Sequence, residues 1–185
     1  MSIKIAYQGR PGAYSHLACK EAFPQSIPIA CETFEEVFEK TNKRETEISF
    51  IPVENSQAGR VADIHNLLPK TELVITGEYF LKINHQLLGI KNTKLDNIKF
   101  AVSHFHALAQ CRDFLYSKKI KPILGTDTAG AAEELSKKEK KDTAAIASSL
   151  AGEIYNLKIL KSNIQDAHHN TTRFFIMKDK FSNFF

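Results

Sequence analysis

One long apolar segment, Leu73–Ile90, most restricts how this chain can fold. It is rich in Val, Ile, Leu, Tyr and Phe, and its pattern is extended throughout. Strands in globular proteins usually have roughly three to ten residues, so a single strand does not account for the whole segment. A chain that completes a strand in one lobe and then crosses into a second lobe does account for it.

Strand and helix patterns alternate on both sides of this segment, which predicts an α/β fold. The other predicted strands are Ile3–Tyr7, Pro28–Cys31, Ile48–Val53, Lys99–Ser103, Pro122–Leu124, Thr143–Ala147, Leu157–Lys161 and Thr172–Met177. The predicted helices are Ser15–Phe23, Thr33–Thr41, Val61–Leu68, Ala107–Tyr116, Thr128–Ser136 and Ser149–Tyr155.

The predicted topology has a chiefly parallel sheet in each of two lobes. The first crossing lies near residue 80, and the polar stretch Ser162–Asn170 belongs to the return crossing. We expect lobe 1 to comprise about residues 1–80 plus 170–185, and lobe 2 about residues 81–169. Two crossings imply an inter-lobe cleft. Ligands of open α/β sheets bind beyond the carboxyl ends of the strands, so functional side chains are expected in the loops after strands.

The composition is that of an ordinary globular protein. Hydrophobic residues make up 43% and charged residues 25% of the 185 residues. The formal charge of +4 is small and dispersed, which disfavours nucleic acid as a partner and mildly favours an anionic small molecule. Three widely spaced cysteines, Cys19, Cys31 and Cys111, predict reduced thiols. Because there is no signal-peptide pattern and no membrane-spanning apolar run, we expect a cytoplasmic protein without a membrane partner.

Polar side chains follow two of the predicted strands in the first half of the chain. The turn Gly9–Ser15 joins a strand to a helix, and its glycines allow backbone N–H groups to approach an anion. Ser15 can donate to a carboxylate there, or it can act only as the helix N-cap. Glu54-Asn55-Ser56 follows the strand Ile48–Val53, where these side chains either face the cleft or hold the turn.

The second half of the chain repeats this arrangement. Ser103-His104 ends one strand, and Gln110 lies two helical turns further on. Thr126-Asp127-Thr128 follows the strand Pro122–Leu124, where Asp127 or Thr128 is also a natural N-cap. Near the C-terminus, Asn170-Thr171-Thr172-Arg173 places a hydroxyl and a guanidinium at the start of an apolar strand.

No pattern of metal ligands, of an activated nucleophile or of a cofactor loop accompanies these residues. His104 and His106 are two apart and His168-His169 are adjacent, so neither pair lies on one face of a helix, and no acidic cluster joins them. The chain has no Gly-x-Ser-x-Gly elbow, no cysteine in an activating context and no dinucleotide-binding glycine pattern. We therefore expect neither a metal site nor a cofactor.

Together, the motifs resemble the catalytic domain of the prephenate dehydratase family. Each motif is weak alone, but they occur in the family's order and cover nearly the whole chain. The matching residues are Gly12-Ala13-Tyr14-Ser15, Pro52-Val53-Glu54-Asn55-Ser56 with Gly59, His85, Ser103-His104 with Gln110, Thr128-Ala129, Ala145-Ile146-Ala147, and Asn170 with Thr172-Arg173-Phe174.

The resemblance implies two lobes of type II periplasmic-binding-protein-like architecture, an inter-lobe cleft that holds the site, and a homodimer. It also implies a hydro-lyase reaction in L-phenylalanine biosynthesis, in which prephenate loses carbon dioxide and water to give phenylpyruvate. Family members usually continue into a C-terminal ACT domain that binds phenylalanine. This sequence ends at Phe185, so no ACT domain is expected in it, and it lacks the glutamate that some relatives carry near Thr126.

The resemblance and the chemistry of prephenate together assign roles to the candidate residues. Thr172 is expected to assist departure of the ring hydroxyl, with Glu54 as its catalytic partner if burial keeps the carboxyl protonated. Arg173 and the turn that contains Ser15 are expected to bind the carboxylate that the product retains. The remaining candidates would orient the substrate: Asn55, Ser56, Ser103, Gln110, Thr128 and Asn170.

Two other functions fit the same residues. An arogenate dehydratase, or an enzyme that accepts both substrates, would act on a compound with an amino group in place of the keto group of prephenate. A small-anion solute-binding module without catalysis would use the same two-lobe architecture, although the sequence has no secretion signal. Side-by-side turnover of both substrates distinguishes the first two functions, and binding without turnover favours the third.

Overall fold

The chain forms two α/β units, each with its own sheet, which confirms the predicted class. The computed structural model describes residues 2–181. Unit 1 contains the residues up to Arg10, Tyr14–Lys82 and the residues from Asn170 onward. Unit 2 contains Pro11–Ala13 and Ile83–His169. The short stretch Pro11–Ala13 thus belongs to unit 2, although the sequence pattern assigns it to the first lobe.

Strands and helices alternate through the described residues. In chain order they are β1 (Lys4–Gln8), α1 (Tyr14–Ala22), β2 (Ile27–Cys31), α2 (Phe34–Asn42), β3 (Ile48–Asn55), β4 (Gly59–Arg60), α3 (Ala62–Leu67), β5 (Leu73–Lys82), β6 (Gln86–Gly89), β7 (Phe100–Ser103), α4 (Phe105–Ala109), α5 (Arg112–Ser117), β8 (Lys121–Leu124), α6 (Thr128–Lys138), β9 (Thr143–Ala147), α7 (Ser149–Ile154), β10 (Lys158–Lys161) and β11 (Thr171–Asp179). Short 3-10 helices cover Leu68–Lys70 and Leu95–Asn97.

The sheet of unit 1 has the strand order β2-β1-β3-β11-β5, and the short β4 pairs with β3. β1 runs parallel to β2 and β3, whereas β11 runs antiparallel to both β3 and β5. Thr171, the first residue of β11, lies opposite Lys82, the last residue of β5. The chain therefore leaves unit 1 and re-enters it through adjacent strands.

Helices cover both faces of this sheet. α2 and α3 pack on the face that carries Ile51 and Val53. On the opposite face, the rings of Phe50 and Phe174 stack with their centroids 5.0 Å apart. α1 covers this second face, because Phe23, which follows α1 directly, contacts Phe50 edge-on at 6.2 Å. We call this second side the α1 face of the sheet.

The sheet of unit 2 has the strand order β10-β6-β9-β7-β8. β7 runs parallel to β8 and β9, and β6 runs antiparallel to β9 and β10. β9 is the most enclosed strand, since all five of its residues are buried. The carboxyl ends of the three parallel strands meet at one edge, where α4, α6 and α7 begin.

The loop after β1 is anchored on α7 of unit 2. Ser148 caps α7 by accepting from the backbone N–H of Ala151, and its Oγ donates to the carbonyl oxygen of Gly12 at 2.6 Å. Tyr155 donates its hydroxyl to the carbonyl of Pro11 at 2.8 Å. Gly12 has a φ of +87°, and a Cβ built on it would lie 2.8 Å from the Cα of Ala151. Both the conformation and the close approach require glycine here.

The segment Leu73–Ile90 forms two strands, β5 and β6, and the chain passes from unit 1 to unit 2 after Lys82, as the sequence predicted. Two other predictions of local structure were wrong. The sheets are mixed, because β6 and β11, the strands that follow the two crossings, run against their neighbours. The predicted helix Ala107–Tyr116 is two short helices, α4 and α5. Within residues 2–181, none of the helices has both the length and the apolarity that crossing a membrane requires.

Candidate active site

A β-bulge near the end of β3 determines which side chains meet at this end of the sheet. The register of β3 against β11 shifts between Arg173 and Phe174, which leaves Val53 as an extra residue, while β11 and β5 stay in regular register there. Thr172 shares the α1 face with Phe174, because residues two apart on a strand point the same way. The extra residue reverses the alternation of β3, so Asn55 lies opposite Thr172 on that face.

Four hydrogen bonds fix the side-chain amide of Asn55. Its Oδ1 accepts from the backbone N–H groups of Gln57 and Ala58, each at 2.9 Å. Its Nδ2 donates to Oδ1 of Asn170 at 2.8 Å and to Oγ1 of Thr172 at 2.9 Å. Turning the amide over would set its two N–H groups against two backbone donors. Nδ2 is therefore the atom that faces Thr172.

This arrangement sets the direction of the Thr172 hydroxyl. An amide nitrogen only donates, so Oγ1 of Thr172 accepts from Asn55 and its own proton points elsewhere. Thr172 is partly buried, and within the part of the chain that the structure describes its hydroxyl proton has no acceptor. The side chain can therefore donate a hydrogen bond to a bound molecule.

Asn170 and Ser56 hold this pair in place. Asn170 is only 1% exposed, and its Oδ1 accepts the second proton of the Asn55 amide. Ser56 fixes the start of β11, since its N–H donates to the carbonyl of Thr171 at 2.9 Å and its Oγ accepts from the N–H of Thr171 at 3.0 Å. These contacts give Asn170 and Ser56 a supporting task, which differs from the direct substrate contact expected from the sequence.

Arg173 lies on the opposite face of the sheet from Thr172, because consecutive residues of a strand point to opposite sides. Its Nη1 is 3.1 Å from Oε1 of Glu54, and its Nε and Nη2 are 2.7 and 2.6 Å from Oε2 of Glu78. The guanidinium also lies 5.1 Å from the centroid of the Phe175 ring. Two internal carboxylates thus occupy the donors of Arg173, whereas the sequence predicts that this side chain binds a substrate carboxylate.

Glu54 lacks the environment that its expected catalytic role needs. That role depended on burial, but the side chain is 47% exposed and forms an ion pair with Arg173. Glu54 also precedes Asn55 on the strand and so points away from the face that carries Thr172. In the structure, Glu54 therefore pairs with Arg173 and does not contact Thr172.

Ser15 lies on the same face and at the same edge as the Thr172 hydroxyl. It is the second residue of α1, so it is not the N-cap of this helix. β1 and β3 are parallel neighbours, which places the start of α1 at the edge where β3 ends with Asn55. The Ser15 hydroxyl has no hydrogen-bond partner among the described residues. It is thus available to an anion at the positive end of a helix.

Ser103 and Thr128 of unit 2 differ in what their hydroxyls do. Ser103 is fully buried, and its hydroxyl donates to the carbonyl of Ile146 at 2.6 Å. This hydrogen bond links β7 to β9, so the hydroxyl does not contact a substrate. Thr128 is the first residue of α6. The N-cap of this helix is Asp127, whose Oδ1 accepts from the N–H of Gly130 at 2.6 Å. Capping therefore does not use the Thr128 hydroxyl, which lacks a hydrogen-bond partner within residues 2–181.

Gln110 belongs to a buried polar group in unit 2. Its Oε1 lies 2.7 Å from Nε2 of His85, so the imidazole carries its proton on that nitrogen. His85 is 3% exposed, and its backbone N–H donates to Oε1 of Gln165 at 2.9 Å. Burial lowers the pKa of His85, although the hydrogen bond to Gln110 acts in the opposite direction. His85 therefore orients Gln110 as a neutral ring.

The histidines and cysteines of the described residues form no cluster of metal ligands, and the thiols are buried. Residues 2–181 contain no group of three or more His, Cys, Asp or Glu side chains placed to hold a metal ion. All three cysteines are buried. Burial raises the pKa of the Cys31 thiol to about 11 and also raises those of Cys19 and Cys111. Such thiols are not activated nucleophiles.

Sequence reasoning missed the bulge at Val53 and the anchoring of the Gly12 loop by Ser148. A signal for the bulge is present in Pro52, because a residue without an N–H occurs in strands chiefly at edges and at bulges. Ser148 directly follows the strand Thr143–Ala147 and precedes a helix, which is a typical N-cap position.

The chain is similar to known proteins over almost all of its length. A family model described as "Prephenate dehydratase" matches residues 5–182. A bifunctional N-acyl-homoserine lactone acylase/prephenate dehydratase of Komagataeibacter europaeus is 44% identical over 172 residues, which are 93% of this chain and 61% of that protein. The chloroplastic arogenate dehydratase/prephenate dehydratase 1 of Arabidopsis thaliana is 41% identical over 175 residues, which are 95% of this chain and 45% of that protein.

A solved structure shows the same fold. The prephenate dehydratase from Arthrobacter aurescens, in complex with L-Phe, superposes with a TM-score of 0.89 and 24% identity. The match covers 97% of this chain and 61% of that chain. The present chain thus spans about half to three fifths of the length of the curated relatives described above.

Proposed function

Because the chain belongs to the prephenate dehydratase family, we propose that it converts prephenate to phenylpyruvate, as a hydro-lyase of L-phenylalanine biosynthesis. The observation that carries this proposal is the hydrogen bond from Asn55 to Thr172, which leaves the Thr172 proton for a departing hydroxyl. The single arrangement joins two motifs that lie far apart in the sequence, at the end of β3 and at the start of β11.

Prephenate is a dianion that becomes aromatic when it loses two groups. The bond between the ring and one carboxylate breaks, and its electron pair enters the ring as carbon dioxide departs. The C–O bond at the opposite ring carbon breaks, and the hydroxyl takes up one proton to leave as water. The product keeps the pyruvyl carboxylate. The electron count balances without an oxidant or reductant, so the protein's task is to hold the dianion and to assist the leaving hydroxyl.

Thr172 is assigned the contact with the leaving hydroxyl. A threonine hydroxyl is too weak an acid to protonate that oxygen in advance. Its hydrogen bond instead strengthens as the C–O bond breaks and charge develops on the oxygen, so it stabilises the transition state more than the bound substrate. The proton that completes the water molecule passes along this hydrogen bond, and Thr172 regains one from solvent.

Asn55 is assigned a positioning role rather than a contact with the substrate. All four hydrogen bonds of its side chain are internal, and one of them presents an N–H to Thr172. Asn170 stabilises the same geometry through its hydrogen bond with Asn55, and Ser56 does so through its hydrogen bond with the backbone of Thr171. Ser103 stabilises the sheet of unit 2 through its hydrogen bond to Ile146.

The substrate carboxylates are assigned to weaker donors than the sequence suggested. Ser15 and the first turn of α1 bind the retained carboxylate. The substrate-orienting roles that the sequence predicts for Gln110 and Thr128 stay predictions. Arg173 receives no substrate contact, since it would have to leave its two carboxylate partners. A weakly donating environment suits the departing carboxylate, because a strong cation would stabilise that group more in the bound substrate than in the transition state.

A direct assay tests this proposal. The purified chain is incubated with prephenate at neutral pH, and phenylpyruvate is followed by its absorbance in alkali. A parallel reaction with arogenate is followed by the phenylalanine it would release, since the Arabidopsis relative carries both names. We expect prephenate to be the faster substrate. Faster turnover of arogenate would contradict the substrate assignment, and calorimetric binding of prephenate without turnover would favour a solute-binding module instead.

We also propose that the protein works in the cytoplasm as a homodimer, without nucleic-acid or membrane partners. Three buried cysteines with free thiols support a reducing compartment. The small net charge of +4 gives no electrostatic reason for a polyanionic partner. Cell fractionation followed by detection of the chain tests the compartment, and recovery in a membrane or secreted fraction would contradict it.

A further inference from the structure

Unit 2 carries a groove that the proposed reaction does not use. It lies between α6 and the strands β7 and β8, and its volume of about 730 Å³ is that of a small-molecule site. All the residues that line it belong to unit 2. We call it the α6–β8 groove. The lining residues that decide what it can bind are Val102, Ile123, Gly125, Leu135, Lys140 and Lys141.

The floor of this groove is apolar because α6 covers only part of the sheet. Leu135 of α6 is buried and joins a core cluster with Ala145 and Ala147 of β9. β8 is the last strand of the sheet, and Ile123 on it lies opposite Val102 of β7 and stays 43% exposed. An apolar strip therefore runs beside the helix. A ligand with an apolar part that covers this strip would gain free energy by removing both surfaces from water.

Gly125 leaves one end of the strip open. A Cβ built on it would lie 3.1 Å from Cγ1 of Val102, so a side chain at this position would enter the groove. The lysines stand at the other end, because Gly125 follows β8 whereas Lys140 and Lys141 precede β9, and β7 runs parallel to both strands. From Lys121, where β8 begins, to Gly125 the strand rises about 13 Å. With C–C bonds of about 1.5 Å, an extended chain of roughly ten carbons covers that length.

The lysine end of the groove carries a small positive excess. The charged residues that line it are Lys138, Lys140 and Lys141 together with Glu134 and Asp142. Lys138 forms an ion pair with Glu134, whose pKa is lowered by the hydrogen bond from Lys138 and further by the charge of Lys140. Within residues 2–181, neither Lys140 nor Lys141 has a carboxylate at ion-pair distance. These two ammonium groups are therefore available to one carboxylate, whereas a polyphosphate would need a larger excess of positive charge.

An apolar strip with positive charge at one end is complementary to an elongated molecule with its negative charge at one end. Lysine suits such a ligand, since it can lay its methylene groups along an apolar chain and still direct its ammonium group to a carboxylate. Prephenate carries two carboxylates and a hydroxyl on a single ring, which leaves no apolar end to lie on the strip. The groove thus fits a different class of molecule from the proposed substrate.

We propose that the α6–β8 groove binds a medium-chain carboxylate, a straight apolar chain of about eight to ten carbons with a single charge. The chain lies along Val102 and Ile123 with its tail towards Gly125, and the carboxylate meets Lys140 and Lys141. This binding does not depend on the proposed reaction, because none of the residues assigned to that reaction lines the groove.

A titration of the 15N-labelled full chain with octanoate, followed by NMR, tests the site. The amide signals of Ile123, Gly125 and Leu135 should shift most, and the shifts should saturate. Octan-1-ol, which has the same chain without the charge, should bind more weakly, and equal binding would contradict the role of the lysines. Shifts centred on another part of the chain would overturn the proposal. So would a lack of saturation up to about 10 mM octanoate, which lies beyond the millimolar range of weak specific binding.

Charge reversal tests the carboxylate end. Lys140→Glu with Lys141→Glu should weaken octanoate binding by about tenfold, because two attractive contacts become repulsive. The matched control is Lys158→Glu with Lys161→Glu, which makes the same change at two exposed positions of β10, on the opposite edge of the same sheet. The control should bind octanoate like the wild type. Undiminished binding by the first pair, or equal weakening by both pairs, would overturn the assignment of the carboxylate to Lys140 and Lys141.

A polar substitution tests the apolar floor. Ile123→Gln should weaken octanoate binding by about fivefold or more, because the ligand chain loses an apolar contact. Ile75→Gln, which makes the same change at a side chain 52% exposed on β5 of unit 1, is the control and should leave the binding unchanged. The urea midpoint of each variant separates a loss of binding from a loss of fold. A folded Ile123→Gln variant that binds octanoate as tightly as the wild type would contradict the placement of the chain along β8.

Discussion

Replacing Asn55 with aspartate would change one atom of the site and reverse one hydrogen bond. The retained Oδ1 still accepts from the N–H groups of Gln57 and Ala58. The second carboxylate oxygen takes the place of Nδ2, 2.9 Å from Oγ1 of Thr172. Because this oxygen can only accept, the Thr172 hydroxyl must turn and donate to it. The proton that should assist the leaving group is then held by the introduced carboxylate.

The size of the effect follows from these contacts. Loss of one preorganised donor at a developing oxyanion lowers kcat by about 10²–10³-fold, so Asn55→Asp should lower kcat by this factor and leave KM nearly unchanged. The new oxygen would also face Oδ1 of Asn170, which now accepts at 2.8 Å. An unpaired buried acceptor costs about 1–3 kcal/mol of folding free energy. The variant should therefore remain folded, with a lower free energy of unfolding.

The assay combines steady-state turnover of prephenate with urea unfolding of the same samples. Asn92→Asp, which makes the same chemical change at an exposed loop position, is the matched control and should behave like the wild type. The loss of turnover in Asn55→Asp should shrink at lower pH, because the introduced carboxyl group can again donate to Thr172 once it is protonated. A folded Asn55→Asp variant with wild-type kcat at neutral pH would refute the reasoning.

Three further predictions follow from other parts of the structure. Arg173→Lys should lower the urea midpoint slightly and leave KM within about twofold of the wild-type value, because the guanidinium links neighbouring strands and binds no substrate. A tenfold rise in KM would contradict this prediction. Gly12→Ala should lower the free energy of unfolding by about 1–3 kcal/mol, because the added Cβ would stand on a residue with a φ of +87° and would clash with Ala151 of α7. An unchanged free energy of unfolding in a urea titration would contradict this prediction. Burial lowers the pKa of His85, so its contribution to the free energy of unfolding should be fully present above about pH 6.5 and fall as the pH drops below it. His85→Gln should flatten that fall, and identical pH profiles for the two proteins would exclude His85 as its source.

Local patterns were sufficient to predict most of the secondary structure. β9 has four consecutive apolar residues after Thr143 and is buried on both faces, and its bounds match the prediction residue for residue. Thr33 caps α2 by accepting from the N–H of Glu36, as the spacing of the two residues predicts. These features depend on neighbours within a few positions of the chain, and such information is present in the sequence.

The roles of Glu54 and Arg173 could not be predicted in the same way. In sequence they stand beside Asn55 and Thr172, which makes all four residues look like members of one cluster. The pleat of a strand separates neighbours onto opposite faces, and the bulge at Val53 decides which pair shares the α1 face. That choice depends on register against a strand more than a hundred residues away, which no local pattern contains.

Ser103 and Thr128 illustrate a second limit. Both are hydroxyl residues that follow strands, and the sequence offers the same two explanations for each, substrate contact or local structure. The structure separates them, because Ser103 meets a carbonyl of the neighbouring strand, whereas Asp127 takes the capping task and leaves Thr128 without it. Only the tertiary neighbours of a hydroxyl determine which explanation applies.

Comparison of Thr172→Ala and Thr172→Ser with the wild type, by the rate of phenylpyruvate formation from saturating prephenate, is the decisive experiment. If the Thr172 hydroxyl assists the leaving group, the alanine variant should lose about 10²–10³-fold in kcat while it unfolds at the wild-type urea midpoint, and the serine variant should retain part of the rate. An alanine variant that forms phenylpyruvate as fast as the wild type would contradict the role of Thr172 and, with it, the role assigned to Asn55.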